Sequence, residues 1–573
     1  MKEVTKRVTV NALFIASMLV FSVLAMASVY GIEGPAQNPS QPGIDEINSG
    51  PQPTTDKLNL PEGYSAEAVL WNLTLPTSVT FDGNGSMYVA ESGYIYGELR
   101  PQPKILKVDQ NGNVSVFLDR LLSPPVNDIE FNKHNGLLYI SHRGMVSTVD
   151  SGGVVKNIIV GLPSMGDHHN NEIEFGLDGR VYVTIGVLTN SGVVGPDNAL
   201  HGWGPLMTKL HDVPGQDITL TGQSFESDNP LTADPNDKAT TGAFVPFGNT
   251  TEQGQVVKGN VLCNGCVISA NPDGSDLQLE AWGLRNPFGL EFNDEGRLFA
   301  SDNGADERGS RPIKDDDDKF QEIRIDEDKP RFYGWPDFFG NAEPVTDPKF
   351  QSPRANGTQL EFLMEDHPEV EKPLALIDHA AAATAVEFAG DEFGLEGKAL
   401  VGEFGTMAPT THSPHGEIAK ALEGKAIIGQ KVIAIDLETG NYTDFISLNT
   451  PDPAFRPVGL AYNEDENALY IVTIAKAEIK METPLGKPLP EPIPWGYPFT
   501  GAVWKVTMDD TTTAGGEEVM TTNNQTITTA DVTADTPSSA TTSANMTGIW
   551  PVPNATNNTN TTTTRDDTDD DDH

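Results

Sequence analysis

Short apolar runs recur along the chain between residues 58 and 507, separated by Gly, Asn, Asp and Pro, and no long stretch shows helical periodicity. One unit repeats: VTFDGNGSMYVAESG from Val79, IEFNKHNGLLYISHRG from Ile129, IEFGLDGRVYVTIG from Ile173, LEFNDEGRLFASDNG from Leu290, VEFAGDEFGLEGKALVGEFG from Val386 and LAYNEDENALYIVTIA from Leu460. Each copy reads apolar-x-aromatic, polar turn, apolar strand, then a polar or glycine exit. The aromatic anchors are Phe81, Phe131, Phe175, Phe292, Phe388 and Tyr462. Their spacing is irregular, which places insertions in the loops. Six two-strand units with room for two further strands between them predict an all-β, six-bladed β-propeller. The alternative, a β-sandwich with coincidental hairpins, must explain six recurrences of one pattern.

In an antiparallel hairpin, the residues before the first strand and after the second lie at one end. Repetition around an axis then brings the equivalent ends to one mouth of a central channel. The residues before the first strands include Asn127 and Asp128, the run Asp167, His168, His169, Asn170 and Asn171, then Arg285 and Asn286, Asp378 and His379, and Arg456. The exits add Glu91, His142, Arg143, Asp302, Asn303 and Glu403. His168 lies seven residues before Phe175, Arg285 seven before Phe292 and Arg456 six before Tyr462, so the three are expected at equivalent places around the axis, with His169 pointing elsewhere. A single loop His or Arg is more often structural than catalytic, and His134, His201 and His211 are read so. Arg285 can equally tie two blades together through its five donors. His412 and His415 fall in a long insertion as a lid or a fortuitous metal pair. The acidic run 315–318 reads as a solvated loop without a defined cation-loop spacing.

The ends differ from the body. Lys2, Lys6 and Arg7 precede an apolar segment that ends in Ala25-Met26-Ala27, so residues 1–30 read as a signal peptide or signal anchor, and 31–57 as a linker. Residues 508–573 are rich in Thr, Asn, Ser and Asp and too poor in apolar residues to bury a core; they read as a disordered tail. Asn524, Asn545, Asn554, Asn557 and Asn560 begin glycosylation sequons in that tail, as do Asn72, Asn84, Asn113, Asn249, Asn356 and Asn441 in the body. The expected location is secreted or cell-surface. The formal net charge of -45 argues against a nucleic-acid partner. The two cysteines, Cys263 and Cys266, flank Asn264-Gly265 and are expected to form a disulfide closing a hairpin with a type I′ turn. Val267 follows where a haem-attachment motif needs His.

The stretches GLRNPFGLEF with DNGADERGSRP, Tyr333-Gly334-Trp335-Pro336, Asp167-His168 before EIEFGLDGRVYVTIG, and Arg456-Pro457 resemble the soluble quinoprotein glucose/sorbosone dehydrogenases. The likeness runs over roughly residues 58–506, at the blade motifs and not continuously. It implies a six-bladed propeller that binds pyrroloquinoline quinone (PQQ) and calcium and oxidises a sugar or alcohol, passing electrons to an external acceptor. By resemblance, His168 is the catalytic base, Arg285 lies beside the quinone oxygens, and Asn286, Asn303 and Arg456 contact the cofactor. The carbonyls of Gly304 and Ala305 fall where the family holds calcium. The sequence departs at Ala305, where Pro is frequent, and at Val187, where an acid that orients the histidine is common; Asp167 or another carboxylate is then expected to substitute. Lys431 is the nearest candidate for the cofactor-binding lysine. Two other readings stand beside this one: a non-enzymatic extracellular binding or adhesion module, and a metal-dependent hydrolase using His168 and His169.

Overall fold

Each repeat builds the two inner strands of a blade with four antiparallel strands, to which blade 3 adds Arg331–Phe332 in parallel and blade 5 adds Leu58–Asn59. The computed structural model describes residues 47–509, apart from 96–97, 100–101, 201–206, 233, 235, 326–328, 356–358, 407–427, 451 and 483–487. The segment 1–30, most of the linker, the tail from 510, the sequons there and at Asn356, and His201, His412 and His415 lie outside the described residues. None of the described helices is long and apolar enough to cross a membrane.

Blade 1 comprises Pro76–Phe81, Met87–Glu91, Lys104–Val108 and Val114–Leu118; blade 2 comprises Val126–Asn132, Leu137–His142, Met145–Val149 and Val155–Val160. Blade 3 comprises Asn170–Phe175, Val181–Ile185, Cys266–Ala270 and Gln278–Trp282; blade 4 comprises Pro287–Phe292, Leu298–Asp302, Asp318–Ile323 and Ala375–Ile377. Blade 5 comprises Ala383–Glu387, Lys398–Glu403, Lys431–Asp436 and Tyr442–Leu448. In blade 6 the strands Pro457–Asn463, Ala468–Thr473 and Gly501–Met508 are completed by Tyr64–Leu73 from the start of the fold. The innermost strands contact one another in turn, and the sixth returns to the first. The fold is a closed six-bladed propeller. The end of the stretch read as linker lies against it: Ile47 is buried, and Asn48 donates its backbone N–H to the Trp71 carbonyl.

The repeated aromatics explain how the blades stack. Phe81 meets Tyr470 at 4.7 Å between ring centres, Phe131 meets Tyr88 at 6.0 Å, Phe175 meets Tyr139 at 4.8 Å, Phe292 meets Tyr182 at 5.2 Å and Phe388 meets Phe299 at 5.4 Å. Each of these five anchors thus packs on an aromatic from the second strand of the preceding blade. Blade 5 has Leu400 at that position, and Tyr462 instead meets Phe393, from the turn between its strands, at 5.6 Å.

Two insertions rise beside the mouth, one between the second and third strands of blade 3, the other between the third and fourth of blade 4. They join through the Leu220–Met364 bridge and through the fully buried Arg311, whose guanidinium donates to the carbonyls of Ser191, Pro336 and Glu361 and to Asp337.

Candidate active site

The turn before the inner strand of blade 4 is fixed by Asp302, whose carboxylate accepts the backbone N–H groups of Arg285 (3.0 Å) and Asn286 (2.7 Å). This holds the Arg285 side chain at the mouth, where it is buried against the insertion of blade 3. Its Nε donates to the Asn190 carbonyl at 3.1 Å, and its Nη2 to Asn190 Oδ1 and Asp306 Oδ2, both at 2.9 Å. Arg308 donates to Asp306, Asp167 and Asp197 at 3.0, 2.6 and 2.6 Å. Burial pushes the Asp306 carboxyl upward, but Arg285 and Arg308 outweigh it and hold it well below the usual carboxylate range. Trp335 closes this corner, donating its indole N–H to the Asn190 carbonyl at 3.3 Å.

His168 stands next to Asn286: a Cβ added to Gly186 would come 2.4 Å from Asn286 Oδ1 and 2.5 Å from His168 Cβ. Its Nδ1 lies 2.9 Å from the Val187 carbonyl oxygen. A carbonyl only accepts, so Nδ1 carries the proton and Nε2 keeps its lone pair. Burial, then the charge of Arg285, lowers the His168 pKa to about 3, so the ring is neutral. The residue that stands where the acid was expected, Val187, therefore orients the histidine through its backbone carbonyl. The expectation that Asp167 takes this role is corrected: Asp167 is committed to Arg308 and to Asn198 Nδ2.

His169 points away, as its offset implies. Its Nδ1 faces Ser164, and its ring meets Tyr94 edge-on at 5.3 Å. The two histidines do not converge as a ligand pair. His142 is buried, with Nδ1 accepting from the Ser123 N–H and Nε2 facing Ser147 Oγ, a structural arrangement.

An asparagine belt crosses the mouth from blade to blade. Asn127 Nδ2 donates to Asn171 Oδ1, Asn171 Nδ2 to Asn286 Oδ1, Asn286 Nδ2 to Asn303 Oδ1, and Asn303 Nδ2 to the Ala383 carbonyl. Both polar atoms of the Asn286 and Asn303 side chains are thereby engaged, so these residues shape the mouth from within the belt.

The acidic run is not a solvated loop. Asp316 and Asp318 are buried; Asp318 accepts the Gly304 N–H at 2.8 Å and Asp316 the Ala305 N–H at 2.6 Å. Lys319 Nζ pairs with Asp316 at 2.8 Å. These carboxylates pin the 304–305 turn from its N–H side, and no described residue donates to either carbonyl. Gly304 is required by the close approach, since a Cβ there would lie 2.1 Å from the Asp316 carbonyl. Two unclaimed carbonyl oxygens on a pinned turn fit a hard cation. Among the described residues, no group of three or more His, Cys, Asp or Glu is arranged to hold a metal.

Arg456 donates through Nη1 to the carbonyls of Phe404 and Gly405, both at 2.9 Å, and its guanidinium lies 4.8 Å from the Phe404 ring centre. Lys431 belongs to a cluster on blade 5, 2.8 Å from Asp444 and 3.9 Å from the buried Glu403. The cysteines are bonded, with 6.2 Å between their Cα atoms. The expected hairpin is corrected. Cys266 opens the third strand of blade 3, which pairs with the second and fourth strands, and only Gly265 of the turn has a left-handed φ (61°), so the turn is not type I′.

Arg308, Asp306, Asn190 and Lys319 escaped the sequence reading because they lie outside the two repeated strands, the first three in loops and Lys319 on the third strand of blade 4. For Asp306 and Arg308 the available signal was their position within DNGADERGSRP; Asn190 and Lys319 carried none.

No protein-family model matches the sequence. No curated protein matches it. Among solved structures, the chain is similar to a glucose dehydrogenase-type oxidoreductase from Thermus thermophilus, at 15% identity and TM-score 0.44 over 78% of this chain and 100% of that one. It is also similar to the PQQ domain of pyranose dehydrogenase from Coprinopsis cinerea, at 14% identity and TM-score 0.48 over 80% and 99%. A third is the PQQ-bound aldose sugar dehydrogenase of Streptomyces coelicolor, at 14% identity and TM-score 0.42 over 78% and 99%.

Proposed function

We propose that this chain is an exported dehydrogenase that oxidises the hydroxyl-bearing carbon of a sugar or alcohol, with PQQ and calcium as its cofactors. The observation that carries the reading is His168: a neutral imidazole with Nδ1–H committed to Val187 and Nε2 left as a base, at the channel mouth beside Arg285 and Asn286. The motifs GLRNPFGL and YGWP, through which the sequence resembles the quinoprotein dehydrogenases, meet at this site through Arg285, Asn190 and Trp335.

The residues present fit such a group. Arg285 offers a fixed cation beside an anionic or developing negative oxygen, Arg456 a second guanidinium, and the carbonyls of Gly304 and Ala305 a seat for calcium. When bound, the quinone supplies the acceptor for the two electrons of a hydride. His168 Nε2 takes the hydroxyl proton of the substrate. The Val187 carbonyl keeps the imidazole in the tautomer that can accept it. An anion bound beside Arg285 offsets the guanidinium charge and makes His168 more basic than it is in the bare protein. Turnover would need an external electron acceptor.

The test is reconstitution of the chain with PQQ and calcium, following the quinone absorbance. Bleaching on addition of an aldose or a simple alcohol is expected. If no quinone binds, or bound quinone is never bleached, the dehydrogenase reading falls and the extracellular binding module takes its place.

A further inference from the structure

The backbone of Gly186 and Val187 has no spare polar atom. Gly186 N–H donates to the His169 carbonyl at 2.8 Å, and the Gly186 carbonyl accepts Asn264 Nδ2 at 3.1 Å. Val187 N–H donates to the Arg285 carbonyl at 2.9 Å, and the Val187 carbonyl accepts from His168 Nδ1. Two residues thus connect the histidine, the arginine and the turn of the disulfide. That turn reaches Arg285 by a second route, since the Gly265 carbonyl accepts the Leu284 N–H at 3.0 Å. It is wedged in place: a Cβ on Gly265 would come 2.1 Å from the Leu284 carbonyl and 2.9 Å from Val187 Cγ1. Asn264 fastens its far side through its N–H to the Val213 carbonyl, and through its side chain to Val213 N–H and the Pro163 carbonyl. Both cysteines are fully buried.

We propose that the Cys263–Cys266 turn is a positioning clamp which, through Gly186 and Val187, fixes the tautomer of His168 and its placement relative to Arg285. A staple needed for stability alone could sit anywhere along the blade. This one closes a loop of very few residues, which removes little chain entropy and gives little stability by that route. Its position instead restrains the one carbonyl that decides which imidazole nitrogen is free. The functional value of the clamp rests on the reading of His168 as the base; the tautomer it enforces does not.

The experiment uses the full chain labelled with 15N-histidine, with long-range proton–nitrogen correlations to read each ring's tautomer and His168→Gln to assign the His168 signals. Wild type is expected to show His168 as a single Nδ1–H tautomer. In the Cys263→Ser/Cys266→Ser double variant, and more mildly in Asn264→Ala, which keeps the disulfide, the His168 signals move toward a mixture of tautomers. In the reconstituted enzyme kcat then falls about tenfold, the scale of a small misplacement of a reacting group, while KM stays within about twofold. Where the double variant does not fold, Asn264→Ala decides. His168 signals that stay unchanged while the melting temperature falls would overturn the clamp and leave a purely structural staple. If the signals move as stated but wild type turns over no substrate, the clamp stands and the dehydrogenase reading is what fails.

Discussion

Removing the imidazole of His168 takes away one hydrogen bond to a backbone carbonyl and the imidazole base that stands beside Asn286. The His168→Ala variant is therefore expected to fold and to bind PQQ, and to reduce it roughly 10²–10⁴-fold more slowly in a stopped-flow assay with an aldose. Arg456→Ala is expected to act on affinity instead, raising the PQQ concentration needed for half-reconstitution. Arg311 gives a contrasting case. It is enclosed between the two insertions, paired with the equally buried Asp337. Arg311→Met leaves Asp337 with backbone N–H groups and His367 but no guanidinium, and a cost of about 3–5 kcal/mol in denaturant unfolding is expected. The offsets of His168 and Arg285 from Phe175 and Phe292 were legible because the repeat carries them. The role of Val187 was not. A sequence shows side chains, and this residue acts through its carbonyl, whose direction is set by Arg285 and Asn264 from elsewhere in the chain.

The inner strand of each blade is an edge, with backbone N–H groups that no further strand pairs. Carboxylates from the preceding blade answer some of them: Asp128 accepts the Ile173 N–H, Glu172 the Leu290 N–H and Glu387 the Tyr462 N–H. Glu130, Glu174, Glu291 and Glu387 occupy the middle position of apolar-x-aromatic in four repeats, and they repel one another across the bore. The sequence displayed these glutamates in register, but the repeat was anchored on its aromatics, and alternation alone did not reveal that the middle positions face a shared bore. Burial lifts the folded-state pKa of Glu174 to about 8 and of Glu387 to about 7. The unfolded chain, with glutamates near about 4.3, holds fewer protons than the folded one across that interval, so stability falls as pH rises through it. Burial lowers His142 to about 4, and His168 and His169 to about 3. They act in the opposite sense, with stability that is complete above their unfolded value of about 6.5 and is lost as pH falls. Above that pH the carboxylates prevail. The melting temperature is expected to fall by a few degrees between about pH 6.5 and 8.5, and Glu174→Gln to flatten the decline. A melting temperature that rises over this interval would mean that the bore glutamates ionise freely in the folded state.

A propeller is stable only as a closed ring, because each blade buries its faces against two neighbours. Here the ring closes where Tyr64–Leu73 joins Gly501–Met508 along its whole length, and the ladder ends where Asp509 N–H meets the Gly63 carbonyl. The six repeats made the blade number legible. This closure was harder to read, since Tyr64–Leu73 lies before the first repeat and has no hairpin partner nearby in sequence. It carries Ala68, Leu70 and Leu73, all at 2% exposure or less, and it covers one edge of the strand that holds Trp504. Withdrawing the two leucines alone exposes side chains worth about 1.5–3 kcal/mol each, and opening the last blade against the first adds to that. The sum is a large share of the roughly 5–15 kcal/mol that holds a domain folded. A chain ending at Asp509 is therefore expected to keep the wild-type melting temperature, because every described strand pairing survives. A chain beginning at Thr74 is expected to melt far lower or not to fold at all, and a separate peptide spanning residues 47–73 should restore its melting transition by re-forming the outer strand of blade 6. If the chain beginning at Thr74 melts like wild type without the peptide, the aromatic stacking between blades is sufficient to hold the ring, and the outer strand only covers it.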